Sequence, residues 1–488
     1  MLYLAKLVTI YSRFKNGIQK IAIGFIILLI VHFVFEPSPF SIFSIITSSF
    51  QHQMLIQSLT SEFNGSYPQK APYPDKTIEV NLAAKKSEIE LIPDFKTEAW
   101  SYNGQIPGPE IRVRLGEKVK INFTNQLPQE TTIHFHGVRL PNKMDGVPGI
   151  TQDPIPVNGK FTYEFTPKDA GTFWFHPHVR SAEQVEKGLY GILIVEDPND
   201  PQFAQDKAIV LDDWRLLDNG QIDPRFVTSG DLAHDGRWGN IISVNGKTGE
   251  IINIREGERI RLRFINSSNG RVYKLNFGSL SAQAIAVDGL KVNKTFSPQN
   301  YEIAPGNRLD IEFIANSESK TVIQDTFTRS SYDLVTINVE GKVETTDKTV
   351  TPLQKHFPNW SNAITFEPDH IYRLNARQGG MYGIEWTIND KAHPNVEAIT
   401  LKAGKFSKLR FINESARLHP MHLHGQFFRV LTRNGQKVDE PYWRDTVLIH
   451  SRETVDIGIV PLDKGTWMSH CHVLEHAEAG MMSLIKVE

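Results

Sequence analysis

Short runs in which apolar and polar residues alternate dominate the chain after residue 75. In IRVRLGEKVKINFTN, from Ile111 to Asn125, hydrophobic and polar side chains alternate on both sides of a Gly-Glu turn. Successive side chains of a strand point to opposite faces, so this pattern is typical of half-buried antiparallel strands. Helical periodicity is hard to find in the same region. The pattern therefore predicts an all-β protein built from short strands.

The strand pattern occurs three times. IINIREGERIRLRFINSS (251–268) and ITLKAGKFSKLRFINES (399–415) repeat it, with Gly116, Gly257 and Gly404 at the same place. A second strand pair follows each copy, and its sequence pattern also recurs in all three. A period this long indicates repeated domains rather than a solenoid, and each copy has about the right number of strands for a β-sandwich. The sequence thus predicts three consecutive β-sandwich domains, at 75–200, 201–345 and 346–488.

An apolar run near the N-terminus, Ile21 to Phe35, follows a basic stretch. It is shorter than the roughly 20 residues of a membrane-spanning helix but typical of the hydrophobic part of an export signal. We predict a basic cytoplasmic end with a signal peptide or signal anchor at 1–36, followed by a linker at 37–74. Both alternatives export the rest of the chain, to the periplasm or cell surface. The anchor alternative attaches the protein to the inner membrane through residues 21–35.

Composition and charge narrow the possible partners. The net charge of the 488 residues is −2, and no basic run or basic-aromatic interleaving appears, so nothing indicates a nucleic-acid partner. The chain has one cysteine, Cys471, and therefore no intrachain disulfide. A lone cysteine in an exported protein requires an explanation, and its histidine neighbours suggest one.

Histidines occur at two matching places in the first and third domains, and the second domain has none there. Four clusters in register across a repeat are hard to explain by chance. Residues i and i+2 of a strand share a face, so each HxH pair places two imidazoles side by side as metal ligands. The clusters are IHFHGV (His134, His136), FWFHPHV (His176, His178), LHPMHLHGQ (His419, His422, His424) and SHCHVLEH (His470, Cys471, His472, His476).

The HCH triplet predicts two different metal sites. His470 and His472 share one face of a strand, whereas Cys471 points to the other. We expect the Cys471 thiolate to join two imidazoles, those of His419 and His476, and the weak thioether ligand of Met481. This ligand set is typical of a blue-copper electron-transfer site. Zinc sites are mostly tetrahedral and zinc is not redox-active, so zinc does not explain this arrangement.

These motifs, together with YNGQIPGPEIRV, MDGVPGITQDPI and DAGTFWFHPH, closely resemble those of the multicopper oxidases over residues 80–488. The similarity is greatest to the three-domain bacterial laccase-like branch. The resemblance implies cupredoxin-like Greek-key domains, four copper ions, dioxygen as a substrate and a small reducing substrate. It also implies ligand roles: His419, Cys471 and His476 for type 1 copper with Met481 axial; His134 and His422 for type 2; His136, His176 and His472 for one type 3 copper; and His178, His424 and His470 for the other.

The resemblance also implies proton-delivering carboxylates. Asp145, in KMDG, fits the family's acidic residue after the first HxHG motif. Several relatives have a second carboxylate directly after the last type 1 histidine, where this chain has Ala477. We expect Glu475 or Glu478 to substitute for it through water.

Three functions remain open from the sequence. The first is a laccase-like oxidase that couples one-electron oxidation of four phenol or aromatic amine molecules, through an exposed type 1 histidine edge, to four-electron reduction of dioxygen to water. The second is a metallo-oxidase of Cu(I), Fe(II) or Mn(II) in metal homeostasis. Asp439 and Glu440 offer oxygen ligands for it, although their polar turn favours solvated charges. The third, a non-catalytic scaffold on the same fold, predicts gaps in motifs that are complete here.

Overall fold

The computed structural model describes residues 42–67, 76–315, 319–343 and 356–488. The apolar run at 21–35 and the signal segment predicted at 1–36 lie outside these residues. Within the described ranges, no helix combines the length and hydrophobicity needed to cross a membrane. Helix α1, Ile42–Phe63, lies in the segment predicted as a linker.

The first domain consists of two four-stranded sheets, in the orders β2-β1-β4-β6 and β3-β8-β7-β5. A 3₁₀ turn, Asn142–Met144, and the short helix α2, Ser181–Glu186, lie in its loops. Its strands are β1 Thr77–Ile92, β2 Phe95–Tyr102, β3 Glu110–Arg114, β4 Lys118–Asn125, β5 His134–His136, β6 Lys160–Phe165, β7 Gly171–His176 and β8 Gly191–Glu196.

The second domain has a six-stranded sheet, β10-β9-β12-β17-β14-β15, and a five-stranded sheet, β11-β19-β18-β13-β16. Helix α3, Ser229–Ala233, begins at a capping box made by Thr228 and Asp231. Its strands are β9 Gln205–Trp214, β10 Ile241–Val244, β11 Glu250–Glu256, β12 Arg259–Asn266, β13 Tyr273–Asn276, β14 Gln283–Val287, β15 Leu290–Phe296, β16 Tyr301–Ile303, β17 Arg308–Ile314, β18 Ser319–Asp325 and β19 Tyr332–Lys342.

The third domain repeats this plan with the sheets β21-β20-β23-β28-β25-β26 and β22-β30-β29-β24-β27. A 3₁₀ turn, Ser361–Ala363, precedes them, and helix α4, Leu474–Glu478, follows β29. Its strands are β20 His370–Gln378, β21 Ile384–Ile388, β22 Ile399–Leu401, β23 Ser407–Asn413, β24 His419–Leu423, β25 Phe428–Arg433, β26 Gln436–Lys437, β27 Thr446–Ile449, β28 Thr454–Ile459, β29 Gly465–Cys471 and β30 Met482–Val487. The predicted all-β fold of three sandwich domains is confirmed.

The repeated strand pair is not a hairpin in any of the three copies. β3 and β4 lie in different sheets of the first domain, as do β11 and β12 in the second and β22 and β23 in the third. The turn between them therefore joins the two layers of a sandwich. Gly116, Gly257 and Gly404 occupy this turn with φ of 100°, 90° and 70°. Glycine recurs there because other residues rarely adopt that left-handed conformation.

The end of α1 and the residues after it pack against the third domain. The carbonyl of Leu59 accepts a hydrogen bond of 2.8 Å from Nε1 of Trp360, and the Tyr67 hydroxyl donates to the carbonyl of Val460 at 3.1 Å. The ring of Tyr67 also meets that of Trp443 edge-on, with centroids 5.0 Å apart. Part of the segment predicted as a linker is therefore an ordered component of the third domain's surface.

Candidate metal centres

Strand pairing brings the histidine motifs of each domain into register. In the first domain β5 and β7 run antiparallel, and His134 lies opposite His176. In the third domain β24 and β29 pair in the same way, and His422 lies opposite His470. Because opposite residues of a pair project to the same face, each domain contributes a compact group of imidazoles.

The histidines of the two domains interleave. The ring of His134 stacks on that of His424, with centroids 3.8 Å apart, and the ring of His136 stacks on that of His422 at 3.7 Å. Potential ligand atoms lie within 4.8 Å of one another in several groups of three. One such group, His134/His176/His178, belongs to the first domain alone. Three others join the first and third domains: His134/His422/His424, His136/His176/His472 and His178/His424/His470.

Hydrogen bonds fix which nitrogen each ring turns inward. Nδ1 of His134 donates to the carbonyl of Asp145 at 2.8 Å, and Nδ1 of His422 donates to the carbonyl of Asp445 at 3.0 Å. Nε2 of His136 lies 3.2 Å from a carboxylate oxygen of Asp445. The ring nitrogens on the other side of these three imidazoles are therefore directed to the centre of the group.

These inward nitrogens are the atoms a metal would use. Within the part of the chain that the structure describes, no protein group bonds to a set of buried histidine nitrogens: Nε2 of His134, His176, His178 and His422, Nδ1 of His136, and both nitrogens of His472. Buried polar atoms without partners are rare in proteins and indicate a missing ligand. Burial, aided by neighbouring imidazoles, lowers the pKa of His136, His176 and His472 well below its usual range. They are therefore neutral, the form that binds metals.

A second group surrounds Cys471 on the other face of β29. Its Sγ lies 3.6 Å from Nδ1 of His419 and 3.9 Å from Nδ1 of His476. Nε2 of His476 donates to the carbonyl of His234 at 2.9 Å, and Nε2 of His419 contacts Ser415 Oγ at 2.9 Å. Both imidazoles thus turn Nδ1 towards the sulfur.

The donor set of this group fits copper. All three side chains are fully buried, as is Met481, whose carbonyl accepts a hydrogen bond from the Cys471 amide at 3.1 Å. Burial raises the pKa of the Cys471 thiol, so the thiolate requires a compensating cation. One thiolate and two imidazoles, with a neighbouring methionine, are the ligand types that copper electron-transfer sites use.

The three predicted acidic residues lie in different surroundings. Asp145 is fully buried, and its Oδ2 lies 2.9 Å from Nδ1 of His424. Glu475 is also fully buried and accepts hydrogen bonds from the Arg237 amide at 3.1 Å and from Asn269 Nδ2 at 2.8 Å. Glu478 is half-buried and accepts from the Ala182 amide at 2.8 Å. Burial raises the pKa of Glu475, and that of Glu478 to about 7.

The expectation of a solvated Glu440 is wrong. Its carboxylate accepts hydrogen bonds from Arg433 at 3.1 Å and from Arg444 at 2.8 Å, and only 13% of its side chain is exposed. The two guanidiniums occupy the oxygens that a metal ion would need. Burial raises the pKa of Glu440, but the two arginines outweigh it and hold the value below its usual range.

Sequence reasoning missed three residues around these centres. Asp445 contacts His136 and His422, and it pairs with the fully buried Arg308 of the second domain at 2.5 Å. His234, which belongs to none of the histidine clusters, covers His476 with its carbonyl. Asp445 and Arg308 have no counterpart in the repeated metal motifs, and the His234 contact is made by the backbone. The sequence therefore contained no local signal for them.

Comparison with known proteins agrees with this geometry. Two family models described as multicopper oxidase match residues 83–200 and 365–488. The multicopper oxidase mco of Staphylococcus aureus is 30% identical over 424 residues, 83% of this chain and 88% of that protein. A multi-copper oxidase structure from Pseudomonas thermotolerans has 32% identity and a TM-score of 0.75, covering 84% of this chain and 99% of its own. The Campylobacter jejuni multicopper oxidase, described as a metallo-oxidase, has 26% identity and a TM-score of 0.72, covering 87% and 96%. The chain therefore belongs to the multicopper oxidase family, copper-dependent oxidoreductases that use dioxygen as electron acceptor.

Proposed function

We propose that the protein couples one-electron oxidation of four reductant molecules to reduction of dioxygen. Four electrons and four protons convert one dioxygen molecule to two water molecules. Copper, when bound, supplies reversible one-electron redox chemistry. His419, Cys471 and His476, with Met481 as a weak fourth ligand, would hold type 1 copper; His134 and His422 would hold type 2; His136, His176 and His472 would hold one type 3 copper; and His178, His424 and His470 would hold the other.

The HCH triplet is the observation that carries this proposal. Cys471 belongs to one group of ligands, while His470 and His472, its direct neighbours in the chain, belong to the histidine groups. A single stretch of backbone therefore connects an electron-accepting centre to a centre with enough imidazoles for three metal ions. A metal-storage or purely structural site has no need of this connection.

The chain itself keeps water from the reacting centre and supplies carboxylates beside it. Except for His178, which is half-buried, the eight proposed trinuclear ligands are buried. Asp145 is the carboxylate nearest to them and is the proposed proton carrier on that side. Glu478 is the better second carrier, because it is half-buried whereas Glu475 is fully buried and held by two hydrogen bonds. The Ala477 position itself has no carboxylate.

The reductant reaches the type 1 site indirectly. The laccase hypothesis predicted an exposed ring edge on a type 1 histidine. His419 and His476 are instead both fully buried. The carbonyl of His234 covers His476, and His234 itself is exposed in a cleft of about 540 Å³ lined by Thr228, Asp231, Asp235 and Trp238. We propose that electrons pass from this cleft through the His234 carbonyl to the His476 ring.

The cleft favours a small aromatic reductant. Its volume admits a phenol or aromatic amine, and Trp238 and Asp235 are both half-exposed there. A phenol loses a proton when it is oxidised, and a half-exposed carboxylate can accept it. One oxygen of Asp235 already accepts from the Leu418 amide at 2.8 Å, which holds the side chain in place.

Oxidation of Cu(I), Fe(II) or Mn(II) is the second candidate. The His234 imidazole and the Asp235 carboxylate belong to the same cleft and are ligand types for such ions. The similarity to a protein described as a metallo-oxidase supports this alternative. Glu440 does not, because two arginines bind its carboxylate.

Oxygen uptake by the copper-loaded protein tests the proposal. A phenol, Cu(I), Fe(II) and Mn(II) are offered separately while the visible spectrum is recorded, with C471S as the blank. A blue band and oxygen consumption with any of them support the oxidase, and the highest kcat/KM selects the reductant class. D235N should lower kcat/KM for the phenol about tenfold, whereas D218N, at an exposed position outside the cleft, should not. A fully copper-loaded protein with neither blue band nor oxygen uptake would leave the scaffold alternative.

A further inference from the structure

Arg308 of the second domain binds all three domains at one point. Its side chain is fully buried, and its five N–H groups all donate. Within the second domain they reach the carbonyls of Asp288 at 2.8 Å and Gly306 at 2.9 Å. In the first domain Nε reaches the carbonyl of Thr172 at 3.1 Å. In the third domain the two terminal nitrogens form a fork on the Asp445 carboxylate at 2.9 and 2.5 Å.

Asp445, which accepts this fork, also contacts two proposed copper ligands. Its Oδ1 lies 3.2 Å from Nε2 of His136, and its carbonyl accepts from Nδ1 of His422 at 3.0 Å. Thr446 completes the arrangement, because its hydroxyl donates to Asp445 Oδ1 at 2.8 Å and lies 3.0 Å from Nδ1 of His422. These contacts leave Nδ1 of His136 and Nε2 of His422 as the inward nitrogens. His136 presents the opposite ring nitrogen from His422, and the Asp445 contact accounts for that difference.

The histidine motif of the first domain is shaped around the same pair. A Cβ at Gly137, directly after His136, would lie 2.2 Å from Nη2 of Arg308 and 2.4 Å from Oδ2 of Asp445. The backbone of the second domain also approaches two of the proposed ligands closely, at Gly306. A Cβ at Gly306 would come within 2.9 Å of both His136 and His472. The contact between the ligand-free domain and the histidines is therefore close on two sides.

We propose that Arg308 is a positioning residue for the trinuclear site. Its fork holds the Asp445 carboxylate, which sets the ring orientation of His136 and, through the adjoining backbone, that of His422. The second domain, although it offers no ligand, thereby determines how the ligands of the other two domains meet. This inference rests on the ligand assignment proposed above.

The alternative is an interdomain ion pair with no influence on the metal site, and the chain offers a matched control for it. Arg263 is also a buried arginine of the second domain. It contacts the first domain through Thr172 Oγ1 at 2.7 Å and pairs with Asp310 at 3.0 Å and Asp206 at 2.6 Å. None of these described contacts involves a histidine. R263K and R308K therefore make the same chemical change, with and without a connection to the ligands.

The experiment compares R308K and R263K with the natural protein, all loaded with copper. Lysine keeps the charge, but its three donors cannot form both the two-bond fork on Asp445 and the three bonds to carbonyls. We expect R308K to retain the blue absorption, to show altered type 2 hyperfine splitting in electron paramagnetic resonance, and to lose type 2 copper to a chelator about 10- to 100-fold more readily. R263K should match the natural protein in both copper readouts. The isosteric D445N, which weakens the fork without removing the side chain, should alter the type 2 signal in the same direction as R308K.

The outcomes separate the two proposals. If R308K and D445N have the type 2 spectrum and chelator sensitivity of R263K, Arg308 has only a structural role and the inference is overturned. That result holds even if R308K lowers the melting temperature of the metal-free protein. If the natural protein binds copper but gives no type 2 signal, the ligand assignment itself fails.

Discussion

The imidazole ring of His134 stacks on that of His424, with the two planes 23° apart. The rings come from the first and third domains, and Asp145 orients both. Its carbonyl accepts from Nδ1 of His134, and its Oδ2 lies 2.9 Å from Nδ1 of His424. One buried acidic residue thus sets the geometry of a histidine pair that neither domain forms alone.

Replacement of Asp145 by asparagine should slow dioxygen reduction without affecting electron entry. Asparagine keeps the shape and the backbone contact to His134, but it removes the charge beside His424 and the proposed proton carrier. We expect oxygen uptake to fall about 10- to 100-fold, as is usual when a partner of a metal-bound histidine is lost. Rapid-mixing measurements should show unchanged reduction of the blue centre. The control is D153N at an exposed position of the same segment, and equal oxygen uptake by both variants would refute the role of Asp145.

Cys471→Ser should remove one centre and leave the other. Serine lacks the soft sulfur on which a blue-copper site depends, and His419 and His476 alone hold copper weakly. We expect the blue band and substrate oxidation to disappear and the copper content to fall from about four to about three per chain. Metal analysis and electron paramagnetic resonance measure the remaining copper. Turnover of substrate by this variant would show that electrons enter elsewhere.

His422→Ala should have the reverse effect. His422 is proposed to bind type 2 copper, and its ring stacks on that of His136 at 3.7 Å. We expect the type 2 signal and oxygen uptake to fall at least tenfold while the blue absorption persists. His370→Ala, in a strand of the same domain but outside the four histidine motifs, is the control. A colourless H422A protein would show that the two centres have been confused.

The grouping of the histidines could be predicted from the sequence because strand geometry is local. Two histidines separated by one residue share a face wherever the strand lies, so His134/His136 and His470/His472 read directly as pairs. The repeat then indicated that the pairs of two domains belong together. The glycines of the turns could also be identified in the sequence. The sequence did not show that β3 and β4 lie in different sheets, since a hairpin within one sheet and a turn between two sheets give the same alternation of hydrophobic and polar residues.

The surroundings of the proposed ligands could not be predicted, since they depend on contacts between distant parts of the chain. Asp445 and His136 are 309 positions apart, and Arg308 and Asp445 are 137 apart. The polar turn containing Glu440 suggested solvent, yet folding places it between two arginines. His234 acts through its backbone carbonyl, an atom that every residue type carries. Such features become visible only when the packing of the domains is known.

Gly425→Ala should destabilise the protein strongly. Gly425 follows His424 with φ of 62°, and a Cβ there would lie 2.4 Å from the ring of Trp467. The strained backbone and the clash together should cost on the order of 2–5 kcal/mol of unfolding free energy. Gly435→Ala is the control, with φ of 75° and no atom within 4 Å of the added Cβ, so only the backbone term remains. Denaturant unfolding of the metal-free proteins measures the loss of unfolding free energy in each variant. Equal losses in the two variants would mean that Trp467 moves aside at no energetic cost.

His450 and Glu302 should make the junction of the second and third domains sensitive to pH. Nε2 of His450 lies 3.0 Å from the Glu302 carboxylate. This hydrogen bond raises the pKa of His450 despite partial burial, and it lowers the pKa of Glu302. The contribution of His450 to the free energy of unfolding is therefore fully present below its unfolded pKa of about 6.5, and it is lost as pH rises through the raised pKa. The glutamate contribution is present above about 4.3 and is lost as pH falls through the lowered value.

The size and the pH window of this effect distinguish it from a simple packing contact. The side chain of His450 is 45% exposed, so solvent screening limits the pair to less than about 1 kcal/mol. His450→Gln should lower the melting temperature of the metal-free protein slightly at pH 6 and leave it unchanged near pH 9. Glu302→Gln should show the same dependence, and the double variant should be no less stable than either single variant at pH 6. A loss that is equal at both pH values would mean that His450 contributes through packing rather than through its charge.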